Sequence, residues 1–336
     1  MAILTVPSDA DLDGLLSAYD LGEKRSAKGI EAGTVNTSYA LELGSGRYFL
    51  RLYEEQGPAG AEAEARLLLH LAAAGVPTPA PVRARDGVMV RTLAGKPAAI
   101  FPWVDGDMLC LRSVTPSAAH EVGVALGRMH LAGPAAPAPG VPPLGEGRFG
   151  PADLVARCDR VATSRDALAR EQAEPLREGM LAIAARRRTD LPTGLVHGDL
   201  FRDNVLWQEG TGRSCDSHDT GSRSSPRIAA LLDFESAHRG PFAYDIAVTI
   251  LSWSFREAFD LDVARAIVSG YREIRELEES ERDGLFAEAM FGSLRFTITR
   301  ITDDAIRVGK RWQRFVARRG ALEQLGPLGF REALGL

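Results

Sequence analysis

Four polar residues have the types and spacing of a phosphoryl-transfer site. Asp199 lies two residues after His197, and Asn204 lies five residues after Asp199, between apolar stretches. A second carboxylate, Asp233, stands at the end of an apolar run. Carboxylate and carboxamide oxygens are hard ligands of the kind that Mg²⁺ takes, and a loop carboxylate can act as a base. The set therefore predicts a magnesium–nucleotide site for phosphoryl transfer.

The composition is that of an ordinary folded protein. Its 336 residues predict about two folding units, long enough to bury a real core. The net charge of -5 gives no electrostatic reason to expect general binding to nucleic acid or to an anionic membrane. No apolar run reaches membrane-spanning length, and the first residues lack the order of a signal peptide. We therefore expect a cytoplasmic protein that binds neither nucleic acid nor membrane.

The first hundred residues mix helix and strand signals. Ser8 precedes an acidic and apolar stretch and predicts the N-cap of a helix. Alternating apolar residues on both sides of the turn 44–46 predict a strand, a turn and a strand. Residues 58–74 predict a helix that opens at a proline. Asp86 followed by Gly87 predicts a hairpin between two further short strands.

Helical periodicity dominates after residue 105, as in residues 118–131. The change from mixed to helical texture predicts an α+β chain with a smaller first part and a larger second part, joined near 101–105. Two apolar stretches on either side of the polar segment 209–226 predict a hairpin with a long tip. This hairpin would place Asp233 close to Asn204.

Segments from both parts of the chain resemble the aminoglycoside phosphotransferase and choline kinase family, small-molecule relatives of the protein kinases, and most closely its type II homoserine kinases. They are residues 29–39, 93–98, 126–132, 200–206 and 244–247. The resemblance implies a two-lobed protein kinase-like fold. It assigns residues 1–104 to a small nucleotide-binding lobe with an antiparallel sheet, and residues 105–336 to a larger, mostly helical lobe for catalysis and substrate binding.

The resemblance also implies roles for the residues of the phosphoryl-transfer set. Asp199 resembles the catalytic base, and Asn204 and Asp233 resemble the ligands of Mg²⁺, with ATP as the phosphoryl donor. His197 resembles the structural histidine of the loop, which braces the backbone near Asp233. Asp245 is expected to anchor the loop and the following helix through hydrogen bonds.

Nucleotide binding is expected in the first lobe. The turn around Asn36 takes the place of the turn over the phosphates, where amides and hydroxyls serve as donors. Arg51 falls where the superfamily usually has a phosphate-binding lysine, and Glu64 matches its ion-pair partner; an ordinary surface ion pair is the alternative. Pro102 lacks an N–H group, which leaves its carbonyl and the Val104 amide as the expected adenine contacts.

The resemblance implies L-homoserine as the acceptor and O-phosphohomoserine, an intermediate of threonine biosynthesis, as the product. Homoserine needs a cation for its carboxylate and an acid for its ammonium group. The candidate contacts are Arg202, Glu235, His238 and Tyr244, although Arg202 could equally be structural. Other acceptors stay open, namely aminoglycosides, choline, methylthioribose and further amino alcohols, because Gly198 and Glu235 are typical of the broader family. A kinase-fold binding protein without catalysis is a further alternative.

Overall fold

The computed structural model describes residues 3–31, 35–133, 141, 143–208, 225–303 and 312–336. Contacts between Cα atoms divide the chain into two compact units, which separate between Asp105 and Gly106. The predicted loop 209–226 lies almost wholly outside the described residues, so the hairpin tip expected there stays a prediction.

A five-stranded antiparallel sheet forms the first unit, with the strand order β1-β2-β3-β5-β4. Its strands are β1 (Lys24–Ile30), β2 (Thr37–Leu43), β3 (Gly46–Leu52), β4 (Val90–Leu93) and β5 (Lys96–Pro102), and its helices are α1 (Asp9–Leu16) and α2 (Pro58–Ala73). Ser8 caps α1 by accepting a hydrogen bond from the Asp11 amide. The predicted cap, the predicted turn between β2 and β3 and the predicted helix that opens at Pro58 are confirmed.

The hairpin predicted around Asp86 and Gly87 is wrong. These residues do form a tight turn, closed by the Ala84 amide, which donates to the Val88 carbonyl at 2.8 Å. Within the continuously described range 35–133, however, no strand lies directly before the turn, and the hairpin of β4 and β5 turns after Leu93 instead. The physical reason is the three prolines in residues 77–81, which supply no N–H groups for a strand ladder.

The second unit is mostly helical and carries two small antiparallel sheets. Its helices are α3 (Pro116–Ala132), α4 (Pro151–Ala162), α5 (Ala167–Arg170), α6 (Ala173–Ala184), α7 (Phe242–Ser254), α8 (Leu261–Ile274), α9 (Glu279–Thr302) and α10 (Gln313–Ala333). Its strands are β6 (Asp107–Met108), β7 (Thr193–Val196), β8 (Val205–Trp207), β9 (Ile228–Leu231) and β10 (His238–Pro241). One sheet has the order β6-β8-β9, and β7 pairs with β10. The predicted antiparallel pairing of β8 with β9 is confirmed.

Each unit has its own apolar core. In the first unit, α1 packs with the buried faces of β2, β3 and β5, where Leu50 and Leu52 are fully buried. In the second unit, α4, α6, α7 and α9 share a core that includes Tyr244 and Val248. None of the helices within the described ranges is long and apolar enough to cross a membrane.

Helices α3 and α8 approach each other at two glycines. A Cβ atom added to Gly123 would lie 2.0 Å from the carbonyl oxygen of Ile267, and one added to Gly270 would lie 2.1 Å from that of His120. Any side chain at these positions would force the helices apart. The close approach allows polar side chains of α3 and α8 to meet inside the unit.

Candidate active site

The backbone on the N-terminal side of Asp199 is fixed by one buried carboxylate. Asp245, in the first turn of α7, accepts hydrogen bonds from the His197 amide at 2.6 Å and from the Gly198 amide at 2.8 Å. Gly198 has a φ of +75°, and an added Cβ atom would lie 2.9 Å from the Ser236 carbonyl oxygen, so the turn requires glycine. The expected anchoring role of Asp245 is confirmed.

Asp245 belongs to a chain of buried hydrogen bonds. His130 Nε2 lies 3.1 Å from an Asp245 oxygen, and His130 Nδ1 lies 2.8 Å from the Tyr271 hydroxyl. Burial lowers the pKa of His130, so the neutral ring donates to Asp245 and accepts from Tyr271. Burial alone would raise the pKa of Asp245, but the hydrogen bonds from His130 and from the His197 amide hold it below its usual value. The chain continues through Arg275, which donates to the Tyr271 hydroxyl and to the fully buried Glu281.

Further hydrogen bonds bring the predicted base and both predicted metal ligands together. Asn204 Nδ2 donates to the backbone carbonyl of Asp199 at 2.8 Å, and the Asn204 carbonyl accepts from the Leu232 amide at 2.9 Å. His197 Nε2 donates to the Leu232 carbonyl at 3.0 Å, which confirms the bracing expected of this histidine. Asp233 follows Leu232 directly, so its backbone is held beside the loop.

Asp199 has a carboxylate that its own chain leaves incompletely satisfied. The residue as a whole is half-buried, but its Oδ1 atom is inaccessible to solvent and has no hydrogen-bond partner among the described residues. Burial raises the pKa of Asp199, the charges of Arg295 and Arg300 oppose this shift, and the charge of Asp233 adds to it. A buried, unbonded acceptor with a raised pKa is suited to take a proton from a ligand.

The donor set at this loop fits Mg²⁺ bound together with a polyphosphate. Because Asn204 donates through Nδ2, its Oδ1 faces away from that bond and accepts no hydrogen bond from the described residues. Asp233 adopts a left-handed backbone with a φ of +62°, a conformation that costs energy in a residue other than glycine and is often found at functional sites. No cluster of three or more His, Cys, Asp or Glu side chains that could hold a metal occurs among the described residues. Mg²⁺ typically takes one or two protein oxygens and completes its shell with phosphates and water.

In the first unit, Arg51 and Glu64 form the ion pair that the sequence predicts. Arg51 Nη1 on β3 lies 3.1 Å from Glu64 Oε1 on α2, with side-chain exposures of 15% and 5%. The pair is therefore mostly buried and not exposed at the surface, while the predicted contact of Arg51 with phosphate stays a prediction. Asn36 is also largely buried, and its Oδ1 accepts a hydrogen bond from the Glu54 amide at 3.1 Å. The preceding part of the expected phosphate turn, residues 32–34, lies outside the described residues.

Pro102 and Val104 lie at the end of β5. Pro102 is the last residue of the strand, and the following amide, of Trp103, donates to the Arg47 carbonyl at 3.1 Å. The Trp103 ring is covered by the Arg47 guanidinium at 4.4 Å. The Val104 amide has no hydrogen-bond acceptor within the described part of the chain.

Three of the four predicted substrate contacts lie just after Asp233. Glu235 is half-buried in a single turn of 3-10 helix. His238 Nδ1 donates to the Ser236 carbonyl at 2.8 Å, and its ring lies 6.4 Å from that of Tyr244. Burial raises the pKa of Tyr244 to about 12, so its hydroxyl stays protonated. The fourth, Arg202, donates to the Leu109 carbonyl at 3.2 Å.

Sequence reasoning missed two residues of this site. His130 reads as a packed helix histidine, and only the pairing of α3 with α8 shows that it hydrogen-bonds Asp245. Arg295, near the middle of α9, lies far along the sequence from the catalytic loop, but its Nη1 atom donates to the Gly198 carbonyl at 3.1 Å. A lone arginine between apolar residues 294 and 296 was the available signal.

The family of the chain follows from comparison with known proteins. The model of the phosphotransferase enzyme family matches residues 26–279, and the chain therefore belongs to this family. The predicted class, a phosphotransferase, is confirmed. A protein of Paramagnetospirillum magneticum named homoserine kinase is 35% identical over 90% of this chain and 89% of its own length. A homoserine kinase of Parvibaculum lavamentivorans is 33% identical over 90% of this chain and 88% of its own length.

Solved structures show the same fold. The structure of amicoumacin kinase hAmiN matches with a TM-score of 0.69 at 16% identity, over 95% of both chains. A microcompartment-associated aminopropanol kinase matches with a TM-score of 0.60 at 19% identity, over 95% of this chain and 97% of that one. Identities this low show the fold alone. The predicted kinase-like fold, with an antiparallel sheet in the N-terminal part and a mostly helical remainder, is confirmed.

Proposed function

We propose that the protein transfers the γ-phosphoryl group of ATP to the side-chain hydroxyl of L-homoserine. The observation that carries phosphoryl transfer is the buried, unbonded Oδ1 atom of Asp199, held beside Asn204 and Asp233. The acceptor is supported by the relatives named homoserine kinase, which are 32% to 35% identical over 90% of the chain. The product would be O-phospho-L-homoserine, in threonine biosynthesis.

Asp199 acts as the base in this reaction. The hydroxyl oxygen of the acceptor forms a bond to the γ-phosphorus, and the bond from that phosphorus to the β–γ bridging oxygen breaks, which releases ADP. The hydroxyl proton passes to the Asp199 carboxylate. Because there is little covalent chemistry for the protein to do, the rate depends on holding the acceptor in line and on stabilising the charge that spreads over the phosphoryl oxygens.

Mg²⁺ is proposed to bind through the Oδ1 atom of Asn204 and the carboxylate of Asp233. When bound, it neutralises charge on the phosphate oxygens. The hydrogen bond from Leu232 to Asn204 couples the positions of the two ligands, because it ties the Asn204 backbone to the residue before Asp233. This coupling would help to hold both oxygens in position for the metal.

Nucleotide binding is proposed for residues 1–104, and catalysis and acceptor binding for residues 105–336. Arg51, held in place by Glu64, is proposed to contact phosphate oxygens. Asn36 is proposed to contact the phosphates as well. The Pro102 carbonyl and the Val104 amide are proposed to hydrogen-bond the adenine ring.

Acceptor binding is proposed to involve Arg202, Glu235, His238 and Tyr244. A coupled ADP-release assay with MgATP tests the acceptor against L-homoserine, choline, methylthioribose, hydroxylysine and kanamycin. We expect turnover with homoserine alone, in the range of about 1–100 per second that is typical of kinases. Turnover only with another amine-containing alcohol would contradict the proposed acceptor and leave the proposed chemistry standing. Nucleotide binding without turnover on any acceptor would favour a non-catalytic binding protein.

A further inference from the structure

Arg295 is a buried cation that forms no salt bridge with the described residues. The residue is 5% exposed, and no carboxylate lies within 4.0 Å of its guanidinium in this part of the chain. Its Nε atom is inaccessible to solvent and has no hydrogen-bond acceptor among the described residues. Within the same residues, its side chain makes one hydrogen bond, from Nη1 to the Gly198 carbonyl. A buried charge in this condition is costly unless an anion completes its coordination.

The surroundings of Arg295 hold the guanidinium in place without neutralising it. The ring centroid of Phe296 lies 4.0 Å from the guanidinium carbon, and that of Phe149 lies 4.7 Å from it. Aromatic faces attract a cation but leave the N–H groups at its edge available for other acceptors. The arrangement is therefore suited to a planar anion such as a carboxylate, which guanidinium binds through paired hydrogen bonds.

Arg295 also lies at the right place for the acceptor. Its Nη1 atom contacts the residue directly before Asp199, the proposed base. The hydroxyl and the carboxylate of homoserine are the two ends of one short carbon chain. When the hydroxyl is at Asp199, the carboxylate must therefore lie only a few bond lengths away.

We propose that Arg295 binds the carboxylate of the acceptor and makes the enzyme selective for an amino acid over a simple amino alcohol. This inference rests on the proposed function, because it takes homoserine as the acceptor. Arg295 serves as a specificity residue that touches the substrate.

Two other arginines are weaker candidates for the same role. Arg202 lies on the catalytic loop, but the hydrogen bond of its guanidinium goes to Leu109. Arg318 is buried over the Phe315 ring at 4.6 Å, also without an acidic partner among the described residues, and no hydrogen bond joins it to the loop that carries Asp199. Arg318 is therefore a matched control: a buried arginine of α10 on an aromatic ring, with no hydrogen bond to the loop of the proposed base.

The test compares L-homoserine with L-homoserine amide, which keeps the hydroxyl and the ammonium group but lacks the negative charge. For Arg295→Met, we expect kcat/KM on homoserine to fall by about 100-fold, mostly through KM, since removing one partner of a buried charge pair is costly. The kcat/KM on homoserine amide should change much less, so the variant should lose the preference for homoserine over its amide. Arg295→Lys should keep part of this preference, because it retains the charge.

Arg318→Met is expected to change kcat/KM by a similar factor for both acceptors. An equal loss for both acceptors in Arg295→Met, in protein whose thermal unfolding is still cooperative, would overturn the proposal and make Arg295 a support for Gly198 only. If Arg295→Met does not fold, Arg295→Lys provides the test. Because lysine keeps the positive charge, complete loss of the preference for homoserine over its amide in Arg295→Lys would contradict the proposed role. A wild-type enzyme that phosphorylates neither compound, but does phosphorylate another alcohol, would instead refute the proposed acceptor.

Discussion

The two units of the chain hold their functional charges in different ways. In the first unit, Arg51 is neutralised by Glu64 at 3.1 Å, and both side chains are mostly buried. In the second unit, the half-buried Asp199 lies near the buried Arg295, but neither has an ion-pair partner within 4.0 Å among the described residues. The first arrangement pairs opposite charges within the protein, whereas the second needs a proton, a hydroxyl or an anion from outside. The base and the acceptor-binding cation are therefore expected to lie in the second unit.

Removal of the base should have the largest effect. Asp199→Asn keeps the shape of the side chain but cannot accept the hydroxyl proton, so we expect kcat to fall by about 10²–10⁴-fold in the ADP-release assay. Asp203→Asn, at an exposed carboxylate of the same loop, is the matched control and should stay near the wild-type rate. Similar rates for both variants would show that Asp199 is not the base.

Loss of the Asp245 carboxylate, which anchors the loop that carries Asp199, should lower both stability and activity. Asp245→Asn removes the charge that accepts hydrogen bonds from His197, Gly198 and His130. Hydrogen bonds to a charged group contribute about 1.5–3 kcal/mol each, so we expect the free energy of unfolding to fall by about 3 kcal/mol. Urea unfolding measures this change. A variant with wild-type stability and reduced kcat would mean that Asp245 acts in the reaction itself instead of as an anchor.

Disruption of the Arg51–Glu64 ion pair in the first unit should weaken binding of the nucleotide and leave binding of the acceptor unchanged. For Arg51→Met, we expect the KM for ATP to rise about 10-fold, the loss of roughly one charge-assisted hydrogen bond, with little change in the KM for homoserine. Arg66→Met on α2 breaks an exposed pair with Glu62 and serves as the control. A rise in the KM for homoserine instead would contradict the assignment of nucleotide binding to this unit.

The smallest expected effect is a pH dependence of stability that arises from His130. Burial lowers the pKa of His130 from its ordinary 6.5, so the unfolded chain binds a proton near that pH while the folded chain does not. The free energy of unfolding should therefore decrease as the pH falls below about 6.5. In His130→Gln this part of the slope should be absent. Thermal unfolding at a series of pH values compares the two proteins, and identical slopes would contradict the neutral state of the buried ring.

The proximity of the predicted base and metal ligands was predictable from sequence because it depends on local spacing and on one strand pair. Asp199, Asn204 and Asp233 come together through the loop itself and through the antiparallel pair of β8 and β9, whose apolar stretches are visible in the sequence. The ion pair of Arg51 with Glu64 was predictable for a related reason. Arg51 lies on β3 and Glu64 on α2, which is the next element along the chain.

The residues that escaped prediction depend on contacts between distant helices. His130 and Tyr271 meet because Gly123 and Gly270 let α3 and α8 come close, which no local pattern reveals. Arg295 comes near the loop only through the packing of α9. The prediction of a hairpin at Asp86 and Gly87 was wrong for the opposite reason. The local turn signal was correct, but the prolines in residues 77–81 prevent a strand from forming before the turn.

The central claim is that this chain phosphorylates the hydroxyl of L-homoserine with Asp199 as the base. The most direct test incubates the wild-type enzyme with MgATP and L-homoserine and identifies the products by phosphorus NMR and mass spectrometry. We expect ADP and O-phospho-L-homoserine in equal amounts, and neither above background with Asp199→Asn. Release of ADP with inorganic phosphate only, or an unchanged yield of phosphohomoserine from Asp199→Asn, would contradict the claim.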